Sequence, residues 1–463
     1  MSTLLIEVSK VDTITQHPMA DRLEIATVKG WNTCVRKGEF KAGDLCIFFP
    51  PDSVLPAELA NGPDDPIPGR LNVAKYLTPL PKDENGNRPN GGRLKATRLR
   101  GQQSYGLIMK IDPSKGDDPN WKVGDNVQEH FGITKWEPPV ESNEGDAEVP
   151  HSFFYKYTDI EHFGNYPDII PDGEEVVFTE KIHGKNTRLG LVLNQDATGN
   201  ALWQFMCGSH DVNRKEFYSK NKRFEFGSLV EKLLIKADAK VNVGDILNYE
   251  GKKYKVKETK EQEVEEKIFE NYKFIGKQLV KKFFIYTDLV DDNGEIKMFR
   301  SEFWEVLSEN VKSLLTYIKD SLVWPDPKFS IILYGEIFGS GVQSMAYGFE
   351  NGNRSFRAFD IAINNKYIDF DVKKDLLKQF NVDMVPILYR GPFTKELLKE
   401  YTDGPTTLCT PEKAGFFKGR EGLVVVPVKE TMSLPMTLTS THGRVILKSI
   451  SADYLNEDIS DGH

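Results

Sequence analysis

Lys181 sits in the run Glu180-Lys181-Ile182-His183-Gly184-Lys185-Asn186, directly after the stretch Val-Val-Phe-Thr. A K-x-x-G tetrad at the end of a strand sets a lysine amine beside a backbone that can approach a phosphate closely, because the glycine carries no side chain. The chemistry within reach of such a unit is that of an amine at a phosphate. Four later segments add to it. Tyr334-Gly335-Glu336-Ile337-Phe338-Gly339 follows the apolar run FSIIL, so Glu336 emerges from a buried strand and needs a partner there. Phe356-Arg357-Ala358-Phe359-Asp360-Ile361 alternates aromatics around a cation. Glu421-Gly422-Leu423-Val424-Val425 puts a second acid at the mouth of an apolar strand, and Arg444-Val445-Ile446-Leu447-Lys448-Ser449 brings a second lysine. Each tetrad alone is unspecific. The order lysine, acid, aromatic, acid, lysine is not.

Strands and helices must carry these residues to one place. Residues 1–136 are β-rich: LLIEVSKVDTI, RLEIATVKGW, DLCIFFPPDSVL and SYGLIMKI are short β-branched and aromatic runs broken by Gly, Pro, Asp and Asn, the pattern of a small barrel. Residues 85–92, NGNRPNGG, read as a mobile loop within it. The acidic, proline-bearing stretch 137–150 reads as a linker. From 151 to 455, strands alternate with a helical pattern whose apolar positions are Phe303, Val306, Leu307, Val311, Leu314, Leu315 and Ile318, so an α+β domain is expected. About 228–295 stands apart as an insertion: VNVGDILNYEGKKYKVKET reads as a hairpin unit and ETKEQEVEEKIFENYKFIGKQL as a charged helix. Residues 456–463 form a polar tail.

The 463 residues carry 60 Lys+Arg against 69 Asp+Glu, a net charge of −9 that argues against a uniformly basic nucleic-acid binder. A local basic groove remains open, since phosphate affinity depends on the charges near the contact. Arg70, Lys75, Lys82, Arg88, Arg93, Lys95, Arg98 and Arg100 lie close in sequence, opposed only by Asp83 and Glu84. The four cysteines are scattered, without a C-x-x-C pair, which argues against a zinc site and fits a reducing compartment. The N-terminus lacks the basic start and long apolar run of a signal peptide, and no stretch reaches the ~20 apolar residues of a membrane span. A cytoplasmic, monomeric protein without a membrane segment is expected.

The ordered set resembles the covalent nucleotidyltransferase superfamily of ATP-dependent ligases and capping enzymes, over about residues 150–455 apart from the insertion. The run K-x-H-G-x-N-x-R, ending at Arg188, is similar to RNA ligases of the Naegleria/Deinococcus type. Ser209-His210-Asp211-Val212-Asn213-Arg214 and Phe303-Trp304-Glu305-Val306 resemble segments of the same enzymes. Upstream, His17-Pro18-Met19-Ala20-Asp21-Arg22-Leu23-Glu24 resembles the opening of OB-fold tRNA-binding modules. Leu99-Arg100-Gly101 with Ser104-Tyr105-Gly106-Leu107 resembles the closing part of the ligases' N-terminal OB module.

The resemblance implies an N-terminal OB-fold followed by an adenylyltransferase domain. It implies ATP and a divalent cation, Mg²⁺ or Mn²⁺, and RNA ends as substrate, at nicks or breaks. Lys181 would be adenylylated, Lys448 would meet the α-phosphate, and Glu421 would hold the metal. Glu336 would bind the ribose, and Phe356 rather than Phe359 would stack on adenine. Glu180, Gly184, Asn186, Arg188 and Arg214 would line the nucleotide. Arg93, Lys95, Arg98 and Arg100 would grip nucleic acid. Ile446 departs from the pattern, since many members place a lysine two residues before Lys448. Arg444 is the candidate substitute. A DNA ligase, a capping-type enzyme and a non-catalytic OB-fold RNA-binding protein are the alternative readings.

Overall fold

The computed structural model describes residues 3–80, 91–136, 145–195, 200–225, 229–230, 233–234, 241–270, 273–322, 329–410, 412–415, 417–434 and 443–456. Residues 85–90 of the expected loop, 137–144 of the expected linker, 457–463 of the tail, and Lys82 and Arg88 lie outside them. The chain divides into two compact units. One comprises Met1–Pro139, Tyr157–Asn186 and Tyr334–His463; the other comprises Val140–Lys156 and Thr187–Leu333.

The first unit begins with the β-rich module. Strands Glu7–Lys10, Leu45–Phe49 and Leu107–Met109 form an antiparallel sheet, and Thr13–Gln16, Leu23–Val28 and Trp31–Arg36 form a meander. The run Leu-Cys-Ile-Phe-Phe explains why both faces are apolar. Side chains alternate along a strand. Ile47 and Phe49 enter one core with Ile6, Val8 and Leu55, while Cys46 and Phe48 enter another with Val11, Ala26 and Val28.

The rest of this unit carries a five-stranded sheet in the order Glu161–His162, Leu447–Ile450, Gly422–Pro427, Glu175–Lys181, Ile387–Pro392. All neighbours are antiparallel except the first pair. Val176, Phe178, Leu423, Val425 and Leu447 pack one face against Phe393 and Leu398, the latter from helix Lys395–Thr402. Strand Arg354–Ile363 and helix Phe370–Gln379 are tied by a buried charge cluster. Asp360 takes the Lys373 ammonium at 2.6 Å and the Arg444 guanidinium at 2.8 Å, and Tyr157 donates to it at 2.7 Å. Buried charges are tolerated only when paired in this way.

In the second unit, Ala147–Glu148, Asn213–Arg214, Ala201–Ser209 and Lys185–Gln195 lie side by side, antiparallel. The expected helix forms in two pieces, Glu302–Glu305 and Glu309–Asp320. Ser308 caps the second by accepting from Val311 N, and Val311, Leu314, Leu315 and Ile318 are buried. The expected charged helix does not form. Lys252–Glu270 and Lys273–Val290 are strands of one long hairpin, continued by Asn221–Glu225 and Ile246–Tyr249. Glu and Lys favour helix in isolation, but that preference is weak and yields to pairing. The second strand carries Phe283, Phe284, Ile285, Tyr286 and Thr287, all strand formers. Glu261 and Glu263 fall opposite Phe283 and Lys281, and Lys281 reaches Glu261 at 3.3 Å. Phe224, Tyr249, Tyr254, Val256, Ile285 and Leu289 form a core beneath.

Candidate active site

Register assembles the site. Strand Gly422–Pro427 lies between the strand ending at Lys181 and the strand carrying Lys448. Lys181 faces Gly422, and Lys448 faces Val424. Glu421, one residue before Gly422, therefore meets the nucleophile candidate. Lys181 Nζ donates to Glu421 Oε1. Glu421 is buried, whereas 25% of the Lys181 side chain stays open, so the amine is paired yet reachable.

The turn after Lys181 is braced from three sides. His183 is buried; its backbone N donates to the Tyr347 hydroxyl at 2.7 Å. Its Nε2 lies 3.0 Å from Ser344 Oγ, and its Nδ1 lies 2.9 Å from the Tyr454 hydroxyl and 3.9 Å from Glu421 Oε2. Gly184 lies flat on the strand Ser330–Gly339. A Cβ there would fall 2.2 Å from the Ile337 carbonyl oxygen and 2.9 Å from Glu336 Cγ, so no other residue fits. Asn186 has a buried Oδ1 without a hydrogen-bond partner among the described residues. A buried amide oxygen left unpaired is costly, which makes it a candidate ligand contact.

Two shifted groups flank the Lys181–Glu421 pair. Burial pushes the Glu336 carboxyl up to about 8; Lys181 opposes this, Glu421 adds to it, and the Gly184 N–H bond opposes it. Lys448 is held down to about 8, first by burial and then by Lys181. Both shifts come first from burial, with the neighbouring charges modifying them. The Glu336 shift makes a stability prediction. A carboxyl whose folded value lies above its unfolded value costs stability as pH rises from the unfolded value, and the full cost is reached above the folded value. Glu336→Gln, which mimics the neutral acid, should therefore raise the melting temperature at pH 8.5 and leave it nearly unchanged at pH 4. Equal effects at both pH values would contradict the shift.

The remaining candidates divide. Phe356 lies against the backbone of Gly335, where a Cβ would fall 2.3 Å from its ring, next to Glu336. Phe359 packs instead with Ile182, Phe338 and Met345. The buried Glu180 carboxylate accepts from Thr406 Oγ1 at 2.5 Å, Thr407 N at 2.8 Å and Thr407 Oγ1 at 2.5 Å, which anchors the strand end.

Arginines expected to meet a ligand are largely committed to the protein. Arg188, 1% exposed, donates to Ser209 O, Phe154 O and Asn213 Oδ1 and lies over the Phe154 ring. These three bonds from Nε, Nη1 and Nη2 tie the guanidinium to the protein. Arg214 pairs with Asp146 at 2.6 Å and lies over Phe303. Arg444 is 1% exposed and bound to Asp360, Glu430 and Tyr157, and Ile446 is buried. Arg93 is buried, pairs with Asp52 at 2.7 Å and stacks on Trp136 at 3.5 Å. Lys95 is half-buried, while Arg98 and Arg100 are exposed.

Sequence reasoning missed Tyr347, Ser344 and Tyr454 around His183, and Thr406 and Thr407 around Glu180. None has a local signature. A hydroxyl is an ordinary polar residue until a long-range contact gives it a partner. Among the described residues no group of three or more His, Cys, Asp or Glu gathers as a metal cage, and no helix is long and apolar enough to cross a membrane.

An RNA ligase family model matches residues 174–450, and an OB-fold domain model matches residues 5–62. The fold is similar to that of the Naegleria gruberi RNA ligase. A lysine-to-methionine mutant of that enzyme with AMP and Mn superposes with a TM-score of 0.56 at 23% identity, covering 99% of each chain. An aspartate-to-alanine mutant without ligand gives 0.56 and 23%, covering 98% of each chain. The pyrophosphate complex gives 0.55 and 22%, covering 98% of each. No curated protein sequence matches the chain.

Proposed function

This chain belongs to the RNA ligase family, and from that premise we propose that it joins 5′-phosphate and 3′-hydroxyl RNA ends at nicks, using ATP, through AMP held covalently on Lys181. The observation that carries this reading is the meeting of Lys181 with Glu421, 240 residues apart in sequence, beside Glu336 and Lys448. Structures of the Naegleria enzyme contain ATP or AMP with Mn, which supports ATP as the nucleotide. A cytoplasmic, monomeric protein is part of the same reading.

Three phosphoryl transfers divide one difficult condensation. Lys181 Nζ, relieved of its proton, attacks the α-phosphorus of ATP. An N–P bond forms, and the bond to the pyrophosphate oxygen breaks with its electron pair. A 5′-phosphate oxygen then attacks the same phosphorus, and the N–P bond breaks. Finally a 3′-hydroxyl attacks the activated 5′-phosphorus, a phosphodiester forms, and AMP leaves. Glu421 Oε1 already accepts a hydrogen bond from Nζ and is placed to take its proton. Lys448 supplies positive charge at the α-phosphate. Glu336 receives the ribose hydroxyls, Phe356 stacks on adenine, and the unpaired Asn186 amide oxygen accepts from the nucleotide.

The donors present suit a divalent ion. Mg²⁺ and Mn²⁺ keep several waters and use one or two carboxylates together with substrate phosphates, rather than an all-protein cage. Glu421, with Glu336 in electrostatic reach, would hold such an ion. When bound, it would neutralise charge on the phosphates.

The barrel grips RNA in this reading through Lys95, Arg98 and Arg100, on or beside the hairpin Thr97–Leu99 and Gln102–Ser104. Arg98→Ala with Arg100→Ala should weaken sealing of a nicked duplex, most at low salt and with a shallower salt dependence than the unaltered protein, while AMP transfer to the protein stays unchanged. An equal fall in both would remove the grip from these residues. The overall test is incubation with ATP or GTP and Mn²⁺, followed by mass spectrometry and by sealing of matched RNA and DNA nicks. An AMP adduct with RNA sealing is expected. A GMP adduct would indicate a capping-type enzyme, preference for DNA a DNA ligase, and no adduct a binding protein.

A further inference from the structure

The strand beside Lys448 is only two residues long, Glu161–His162, and stands at the edge of the five-stranded sheet. It pairs in parallel, Glu161 with Leu447 and His162 with Lys448. So short an edge strand has little of its own to hold it. The N-terminal module supplies the rest. Thr3 donates twice to the Glu161 carboxylate, from its backbone N and from Oγ1, each at 2.8 Å, and Glu161 is 0% exposed. Asn165 Nδ2 donates to Thr3 O at 3.2 Å. The Trp31 indole stacks on the His162 ring, with centroids 4.3 Å apart and planes at 28°. Gly164 passes so close that a Cβ would fall 2.7 Å from Trp31 Nε1. His162 Nδ1 accepts from Gly164 N at 3.0 Å, which leaves the ring proton on Nε2.

We propose that Trp31 and His162 are positioning residues for Lys448: the barrel clamps the edge strand through this stack and so sets where the lysine amine stands. The proposal rests on the reading of Lys448 as the α-phosphate contact. Both residues lie outside the RNA ligase match, and His162 lies outside the OB-fold match as well. The chemistry of the clamp suits the task. Burial first, then Lys448 and Lys29, hold the imidazole down to about 3, so an uncharged ring lies beside the lysine where a cation would repel it. Lys135 and Asp52, also from the barrel, act electrostatically on Lys448. The N-terminal module is then part of the adenylylation apparatus as well as a grip on RNA.

The test measures AMP transfer to Lys181 in the full-length protein over a range of ATP concentrations. The variants are Trp31→Leu, Trp31→Phe, His162→Asn, Lys448→Arg, Lys448→Ala and the combination of Trp31→Leu with Lys448→Arg. Displacing a catalytic group by about 1 Å costs on the order of 100-fold, so Trp31→Leu should slow labelling by roughly 10- to 100-fold and raise the KM for ATP. Trp31→Phe, which keeps an aromatic face, should recover most of the rate. The combined variant should label no more slowly than Lys448→Arg alone, because two residues acting through one group are not additive. Normal labelling by Trp31→Leu, with loss confined to sealing, would overturn the proposal; so would additive losses. If Trp31→Leu fails to fold, Trp31→Phe and His162→Asn carry the same comparison. Normal labelling by Lys448→Ala would remove the phosphate role itself, a different failure. Loss there with no effect at Trp31 or His162 removes only the clamp.

Discussion

Lys181→Ala protein, incubated with ATP and Mn²⁺, will gain no AMP by mass spectrometry, whereas the unaltered chain will gain one. Removing the nucleophile of a covalent mechanism typically costs on the order of 10⁴- to 10⁶-fold, which places labelling below detection. Lys181→Arg separates two explanations. Arginine keeps a positive charge and similar reach, but its guanidinium stays protonated and cannot attack phosphorus. If Lys181 acts as a nucleophile, the arginine variant fails as completely as the alanine variant. If it serves only as a cation for phosphate, arginine restores part of the activity. The fold should survive both changes, because a quarter of the side chain is open to solvent and its partner Glu421 sits at a site with another cation nearby. An AMP adduct persisting in Lys181→Ala would move the nucleophile elsewhere and dissolve the proposed site.

Glu421→Gln should lose labelling by roughly 100- to 1000-fold, the usual cost of removing one group that stabilises developing charge in an enclosed site. The change is isosteric, so the strand Gly422–Pro427 and its register with Lys181 remain. Two functions disappear together: the acceptor for the Lys181 proton and a carboxylate for the divalent ion. The second is visible as a higher Mn²⁺ requirement. Electrostatics add a further signature. Glu421 raises the Glu336 carboxyl and raises the Lys448 ammonium, so its removal should lower both. Glu336 would then ionise at lower pH, and Lys448 would lose its charge at lower pH. The alkaline limb of residual labelling should accordingly shift to lower pH. A variant with an unchanged Mn²⁺ requirement and an unchanged pH profile would show that Glu421 merely pairs with Lys181 in the resting protein.

Much of this protein was legible along the chain. The strand-end positions of Lys181 and Glu421 followed from apolar runs bordered by a polar residue, and those strands are present; Glu336 lies inside the strand Ser330–Gly339. The helix after Ser301 announced itself by the spacing of Val311, Leu314, Leu315 and Ile318. The two-sided burial of 46–49 was implicit in a run without polar alternation. These are local properties: period, propensity and the cost of burying a polar group act within a few residues. The tertiary structure alone decided which charges are used and which are spent on the fold. Arg188, Arg214, Arg93 and Arg444 read as ligand arginines, yet each finds a carboxylate, a carbonyl or an aromatic face from a distant segment. The charged helix became a hairpin because a strand-forming partner lay opposite it. Lys181 meets Glu421 only because two strands far apart in sequence pair in one register. Side-chain identity sets what a residue can do. Long-range pairing, which no local pattern encodes, sets what remains for it to do once its neighbours are in place.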